Sequence, residues 1–165
     1  MSTTKSNPWD LRFWQSDEWQ VIQERLDALD REHGKGKYYC PNRSDMFLPL
    51  TQLNPEQVRC VMVGQDPYPN PVHACGVAFS VPATIQQYPP SLINIFKEYS
   101  DDLGYPTPTT GCLSDWSKQG VLLWNTYPSV AQGRPGTHHW PEWELLSTEV
   151  LQRCDVQRPV YIFLG

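Results

Sequence analysis

The chain has 165 residues, of which 13 are Lys or Arg and 18 are Asp or Glu, so its formal net charge is −5 at pH 7. The length and a hydrophobic content of 39% predict a single domain that spans residues 1–165. The acidic balance excludes a protein that grips nucleic acid by bulk positive charge, so a nucleic-acid partner would have to be held by local geometry.

Cysteine usage and hydropathy predict a soluble cytoplasmic protein. The five cysteines are odd in number and contain no C-x-x-C pair, so we expect reduced thiols and neither a disulfide framework nor a metal site. The first residues, MSTTKSNPWD, lack the pattern of a signal peptide. No apolar run approaches the roughly 20 residues of a spanning helix, so no membrane partner is expected.

Four segments carry a helix start signal, and in three of them apolar residues recur on one face. The first follows Ser16, carries two acidic residues in its first turn and ends before Gly34. The predicted starts of the four helices are Ser16, Ser91, Ser114 and Pro141, with Ser16 and Ser114 as N-caps.

Three apolar runs are predicted as strands: residues 58–63, 121–124 and 160–164. They alternate with helices, which implies right-handed crossovers and an α/β three-layer sandwich with a central parallel sheet. In such sheets ligands bind beyond the carboxyl ends of the strands. Polar side chains follow two of these strands, in the segment GQDPYP at residues 64–69 and at Asn125. The simpler alternative is that GQDPYP is a surface turn.

Five segments carry a resemblance to a known family. In chain order they read FLPLTQLNPEQVRCVMVGQDPYP, GVAFSVP, YPPSLINIFKEY, LSDWSKQGVLLWNT and HHWPEWE. Together they resemble the family 1 uracil-DNA glycosylases over almost the whole chain. The resemblance implies a single α/β domain with a central parallel sheet. It also implies the activity of base excision repair enzymes that flip uracil out of DNA and hydrolyse its N-glycosidic bond without a cofactor.

The resemblance assigns Asp66 as the catalytic carboxylate, which positions the attacking water and stabilises the sugar cation, with Gln65 beside it. The chemistry agrees with a carboxylate here, because cleavage develops positive charge on the sugar and negative charge on the departing base. A lone Asp before Pro67 would more often cap a turn, and the surrounding motif matches reverse that preference.

By the same resemblance three residues hold the flipped base. Phe79 stacks on uracil, Asn125 hydrogen-bonds its edge, and Tyr68 stands where the 5-methyl group of thymine would lie. A flipped base needs such an aromatic face and an edge reader with a donor and an acceptor. Taken singly, Phe79 would be an ordinary core residue and Asn125 a polar strand terminator.

The resemblance also assigns contacts to the DNA backbone. Pro90 and Ser91 match a loop that compresses the backbone, with the Ser91 hydroxyl offered to phosphate. His138 matches a histidine that contacts phosphate, whereas His139 matches no role. The alternatives are a plain helix start and a solvated loop histidine. Uracil-containing DNA and a proteinaceous glycosylase inhibitor are the implied partners of a monomer.

The sequence departs from the family pattern in three places. Pro69 replaces a histidine that often follows GQDPY, and Cys112 replaces a common aspartate. Family members also continue to a histidine in an HPSPLS-like segment, which stabilises the departing uracil. That segment, the last strand and the closing helix have no counterpart here, so we expect an incomplete member with weak activity and an uncovered last strand.

Two other classes of function compete with this interpretation. One is a non-catalytic module that retains a partial surface for uracil, DNA or glycosylase recognition. The other is an α/β hydrolase of small molecules, which is disfavoured because the chain has neither a G-x-S-x-G elbow nor a G-x-x-x-x-G-K phosphate loop.

Overall fold

The structure, a computed structural model, describes residues 8–164. In chain order the elements are α1 (Asp17–His33), β1 (Tyr39–Cys40), α2 (Leu48–Gln52), β2 (Cys60–Gly64), α3 (Pro90–Leu103), α4 (Ser114–Lys118), β3 (Val121–Asn125), β4 (Val130–Ala131), α5 (Pro141–Cys154) and β5 (Val160–Phe163). Short 3-10 helices lie at Arg12–Gln15, Pro55–Gln57 and Asp155–Gln157. Among residues 8–164, none of the helices combines the length and the apolar composition that a membrane crossing requires.

The predicted helix starts agree with the structure to within one residue at all four sites. Ser16 caps α1, because its hydroxyl oxygen accepts the Trp19 N–H at 3.3 Å, and α5 begins at Pro141. Helix α3 begins one residue before Ser91. The N-cap prediction for Ser114 is wrong: Ser114 is the first residue of α4 and its side chain makes no capping hydrogen bond.

The central sheet has three parallel strands in the order β3-β2-β5. Met62 in the middle of β2 pairs with Leu123 on one side and with Ile162 on the other. Strand β2 begins two residues later than predicted, because the 3-10 helix Pro55–Gln57 extends its cap to Val58. The pair β1–β4 was not predicted, since two residues are too few to show a periodic pattern.

Alternating residues of the sheet face two separate cores. Val61 and Val63 pack on one face with residues of α1 and α5, whereas Met62 and Leu123 pack on the other face with residues of α3. This alternation is the period of two that a pleated strand dictates. The predicted α/β three-layer sandwich is therefore confirmed.

Strand β5 is the exposed edge of this sheet. Its side chains Val160 and Phe163 are 64% and 67% exposed, and Ile162 and Leu164 are each 39% exposed. Within residues 8–164 no strand pairs with its outer side. The expectation that this last strand is uncovered is confirmed for the described part of the chain.

Candidate active site

A cavity of about 260 Å³ opens beyond the carboxyl ends of β2 and β3. It brings together six of the predicted site residues: Gln65, Asp66, Tyr68, Phe79, Ser91 and Asn125. Backbone hydrogen bonds fix the two strand ends to each other, since the N–H groups of Thr126 and Tyr127 donate to the carbonyls of Gly64 and Gln65, each at 2.9 Å. The parallel pairing of β2 with β3 thus creates the site.

The Asp66 carboxylate is half-buried and held at one oxygen. Its Oδ2 accepts the backbone N–H of Gly136 at 2.6 Å, a short distance typical of a charge-assisted hydrogen bond. Among residues 8–164 the structure gives its Oδ1 no partner. One oxygen is therefore fixed and the other is available to a ligand or a water molecule.

Gln65 lies at the exposed rim of the cavity. Its side-chain nitrogen Nε2 lies 3.0 Å from His139 Nε2. The His139 ring stacks on the Tyr127 ring with a centroid separation of 4.0 Å and an interplanar angle of 19°. His139, for which no role was predicted, is thus in contact with a predicted site residue.

Tyr68 forms a fixed wall of the cavity. Its hydroxyl lies 3.1 Å from the Phe79 carbonyl oxygen and 2.9 Å from Ser91 Oγ. A phenol has one hydrogen and a carbonyl only accepts, so Tyr68 donates to Phe79 and the Ser91 hydroxyl donates to Tyr68. Burial raises the pKa of Tyr68. Ser91 therefore positions Tyr68, in addition to its predicted place at the start of α3.

Phe79 and Asn125 approach each other across Gly64. A Cβ atom added to Gly64 would lie 2.8 Å from Asn125 Oδ1 and 2.9 Å from Phe79 Cζ, so only glycine fits between them. The Asn125 side chain is 7% exposed, and within residues 8–164 its amide has no hydrogen-bond partner. Phe79 has a φ of 63°, a strained conformation that is costly and concentrates at functional sites. An amide that lines the cavity without a protein partner, beside this ring, is suited to hydrogen-bond a ligand.

Of the predicted contacts to the DNA backbone, Ser91 lines this cavity, whereas Pro90 and His138 do not. Pro90 is exposed at the first turn of α3. His138 is 4% exposed, and its Nδ1 lies 2.9 Å from Ser129 Oγ. Burial, followed by the charge of Arg134, lowers the pKa of His138 from 6.5 to about 4. His138 is therefore a neutral, buried imidazole rather than a solvated one.

The hydrogen-bond pattern defines the tautomer of His138. Ser129 is fully buried, and its hydroxyl oxygen accepts the Trp143 indole N–H at 3.1 Å. An indole only donates, and within residues 8–164 the buried Ser129 hydroxyl has no other acceptor nearby, so it donates its hydrogen to His138 Nδ1. The remaining hydrogen of the neutral ring then sits on Nε2. His138 lines a neighbouring cavity of about 450 Å³ together with Arg25, Tyr38, Arg134 and Trp140.

A larger cavity, of about 510 Å³, lies between α3 and β5. It is lined mainly by apolar side chains that include Ile95, Leu103 and Ile162, and it contains neither Asp66 nor Asn125. Within the described residues no group of three or more His, Cys, Asp or Glu is arranged to hold a metal ion. The groups suited to chemistry are therefore those of the smaller cavity.

Sequence reasoning missed several residues of this site. Gly136 and His139 contact Asp66 and Gln65 from a loop about 70 residues further along the chain, and no local pattern indicates such a contact. Pro135 and Cys75 also line the cavity. The one available signal was the glycine-rich segment GRPG at residues 133–136, which indicates a tight loop.

A parallel α/β sheet with a carboxylate, an amide and aromatic rings around one cavity is typical of a ligand-binding α/β domain. Comparison with known proteins gives the family. The model of the Uracil DNA glycosylase superfamily matches residues 50–165. The chain is 50% identical over 139 residues to the uracil-DNA glycosylase of Mycobacterium sp. (strain KMS), a match that covers 84% of this chain and 60% of that one. The chain belongs to the uracil DNA glycosylase superfamily.

Other relatives agree with this assignment. The uracil-DNA glycosylase of Coxiella burnetii is 37% identical over 160 residues, which cover 97% of this chain and 71% of that protein. The crystal structure of mimivirus uracil-DNA glycosylase superposes with a TM-score of 0.68 at 22% identity, over 92% of this chain and 66% of that one, and so supports the fold. With Thermobifida fusca uracil-DNA glycosylase the identity is 42% over 131 residues, or 79% of this chain and 57% of the relative. The chain thus spans about three fifths of the length of several curated relatives.

Proposed function

We propose that this chain carries the catalytic centre of a uracil-DNA glycosylase of base excision repair. The observation that supports the proposal is the convergence of Asp66, Tyr68, Phe79 and Asn125 on one cavity, in a chain that belongs to the superfamily. The proposed reaction is hydrolysis: the bond from C1′ of the deoxyribose to N1 breaks and uracil leaves as an anion. Water adds to C1′, and the proton that it loses passes to the solvent and balances the charge of the uracil anion.

In this mechanism Asp66 positions the water and stabilises the positive charge on the sugar. Gly136 holds Oδ2, so Oδ1 is free to accept a hydrogen bond from the water. A carboxylate fixed at one oxygen loses little freedom when the substrate binds, which is the physical content of preorganisation. The Gly136 contact is the feature of the site that supports this role most directly.

Base recognition uses the cavity walls. The amide of Asn125 offers one donor and one acceptor direction, which complements the O4 and N3–H of uracil. Phe79 provides the aromatic face on which the base stacks. Tyr68 is held from two sides by Phe79 and Ser91, so it does not yield to a methyl group on C5, and thymine is excluded by steric conflict.

We further propose that the DNA backbone is bound by neutral donors. His138 presents its Nε2–H, and the first turn of α3, which begins at Pro90, offers backbone N–H groups, because the hydroxyl hydrogen of Ser91 is donated to Tyr68. Hydrogen bonds from uncharged groups agree with a chain whose net charge is −5. This arrangement predicts phosphate binding that loses little strength between pH 5 and pH 8, because the pKa of His138 is lowered to about 4.

The proposed domain organisation, location and partners follow from the proposed glycosylase function. We propose a single domain at residues 1–165, a cytoplasmic location, a monomer and no cofactor or metal ion. The five cysteines are free thiols, which suits a reducing compartment. One solved relative is a mimivirus UNG variant in complex with UGI, and it superposes with a TM-score of 0.70 at 22% identity over 92% of this chain and 68% of that one. A proteinaceous glycosylase inhibitor is accordingly a proposed partner of this chain.

A second candidate function is a module that binds uracil-containing DNA with little turnover. The observation that favours it is Leu164, which lines the cavity and is 39% exposed, and so offers an apolar contact to a bound base. Binding without excision is its signature.

The test uses the purified chain and a single-stranded oligonucleotide with one uracil. Asp66→Asn is expected to lower the rate of excision on the order of a hundredfold to ten-thousandfold, as loss of a positioned catalytic carboxylate does. Asp115→Asn, an exposed carboxylate paired with Lys118, is the control and is expected to retain the rate. Equal rates for the two variants would contradict the proposed mechanism.

Base selectivity separates the two functions further. Tyr68→Ala is expected to admit thymine, and Asn125→Asp is expected to shift preference toward cytosine, whose exocyclic amine needs an acceptor. If the unmodified chain binds the uracil oligonucleotide better than its thymine counterpart and excises nothing, the binding module is the correct description.

A further inference from the structure

The loop formed by residues 133–139, here called the strap, lies across the GQDPYP segment. Gly133 N–H donates to the Pro69 carbonyl at 2.9 Å, and Gly136 N–H donates to Asp66. His139 Nε2 contacts Gln65 Nε2 at 3.0 Å. The strap therefore touches GQDPYP at three points, and the His139 contact is the only one of them made between two side chains.

His139 itself is held in place. Its ring stacks on Tyr127, and the backbone N–H of Tyr127 donates to the Gln65 carbonyl at 2.9 Å. On its other side the Tyr127 hydroxyl donates to Glu144 Oε1 at 2.5 Å. Tyr127 thus donates a hydrogen bond to the backbone of Gln65, and its ring holds the His139 ring that contacts the Gln65 side chain.

The chemistry of the contact restricts both partners. The nitrogen of a Gln amide only donates, so Gln65 Nε2 at 3.0 Å requires His139 Nε2 to be an acceptor. That is a neutral imidazole with its hydrogen on Nδ1. If His139 instead carried its hydrogen on Nε2, the Gln65 amide would have to turn by half a rotation and present its oxygen to the ring.

We infer that His139 is a positioning residue that orients the Gln65 amide at the rim of the active site, accepting from its N–H and turning its carbonyl oxygen away from the strap. This inference rests on the proposed function. It deepens that function by adding an orienting partner for the polar side chain next to Asp66. Without His139 the Gln65 side chain would sample several rotamers, and its order would have to be restored in each catalytic cycle.

Two substitutions distinguish the hydrogen-bond acceptor of His139 from its ring stacking on Tyr127. His139→Phe keeps an aromatic ring on Tyr127 and removes the acceptor. His139→Gln places an amide oxygen near the position of Nε2 and removes the stack. The matched control is His33→Phe, because His33 also stacks on a tyrosine, Tyr38, at a centroid separation of 4.2 Å and an angle of 11°, away from the cavity.

The first measurement is independent of activity. In the uniformly ¹⁵N-labelled chain at pH 8 we expect a scalar coupling across the N–H···N hydrogen bond between the Gln65 amide and the His139 ring. His139→Phe should abolish it and shift the Gln65 side-chain amide signals, whereas His33→Phe should change neither. Absence of the coupling in the unmodified chain, or ring nitrogen shifts that place the hydrogen on Nε2, would overturn the inference.

The second measurement is uracil excision. His139→Phe is expected to lower kcat/KM about threefold to tenfold, the usual effect of one lost hydrogen bond, and His139→Gln is expected to restore most of it. Equal values for His139→Phe and His33→Phe would overturn the positioning role. If the unmodified chain excises no uracil, the proposed function fails, and the ¹⁵N coupling still decides the orientation of Gln65.

Discussion

Strands β2 and β5 are both apolar, and they lie side by side in one sheet with very different surroundings. Val61, Met62 and Val63 of β2 are at most 7% exposed, whereas Val160 and Phe163 of β5 are 64% and 67% exposed. Every polar group of the proposed chemistry lies on the β2–β3 side, and β5 adds only the neighbouring Leu164 to the cavity wall. An apolar sequence therefore identifies a strand, but only its neighbours determine whether that strand stabilises the fold.

The largest expected effect tests this contrast in stability. Leu123 and Ile162 flank Met62 from opposite sides, and they are 1% and 39% exposed. Leu123→Ala should lower the free energy of unfolding by about 2 to 5 kcal/mol, because it opens a cavity in a packed core. Ile162→Ala should cost less than about 1 kcal/mol, as partly exposed positions do. Urea denaturation measures both, and similar losses would show that β5 is as well packed as β3.

A second prediction concerns the junction of the two strands that build the site. Gly64→Ala would place a methyl group 2.8 Å from Asn125 Oδ1 and 2.9 Å from Phe79 Cζ. Because both side chains would have to move, uracil excision should fall on the order of tenfold to a hundredfold. Gly104→Ala is the control and should retain excision, since Gly104 follows α3 outside the cavity and an added Cβ there meets nothing within 4 Å, although its φ of +68° adds some strain. If Gly64→Ala excises uracil at an unchanged rate, the positions of Phe79 and Asn125 do not matter for the reaction.

The sequence predicted the sheet and the residues that follow directly from it. Gln65, Asp66 and Asn125 could be placed at one edge because parallel strands bring their carboxyl ends together. The strap was not predictable, because Gly136 reaches Asp66 across 70 positions of the chain through a backbone N–H that every residue except proline possesses. Nor could the burial of His138 be predicted, since it depends on a hydrogen bond to the buried hydroxyl of Ser129.

The stability of the folded chain should also depend on pH through His138, whose pKa is lowered from 6.5 to about 4. Between these two values the unfolded chain binds a proton that the folded chain does not, so stability should fall as the pH drops from about 7 to about 4. With allowance for solvent screening, the loss attributable to His138 is on the order of 2 kcal/mol.

The measurement is urea denaturation at pH 7.5 and at pH 4.5. His138→Gln should flatten this part of the pH profile, whereas His33→Gln, on the exposed surface of α1, should leave it in place. A profile of His138→Gln that is as steep as that of the unmodified chain would assign the pH dependence to other groups.

The smallest expected effect on folding concerns the β5 edge itself. Natural sheets protect exposed edges with charged residues, and β5, whose residues are Val160–Phe163, carries none. Phe163→Lys should reduce association of the chain at high protein concentration. The free energy of unfolding should change by no more than about 0.5 kcal/mol, because the Phe163 side chain is 67% exposed.

Val156→Lys is the matched control: Val156 is 76% exposed and lies in the 3-10 helix Asp155–Gln157, outside the sheet. Light scattering across a concentration series compares the two variants. If Val156→Lys suppresses association as strongly as Phe163→Lys, net charge rather than the open strand edge controls it.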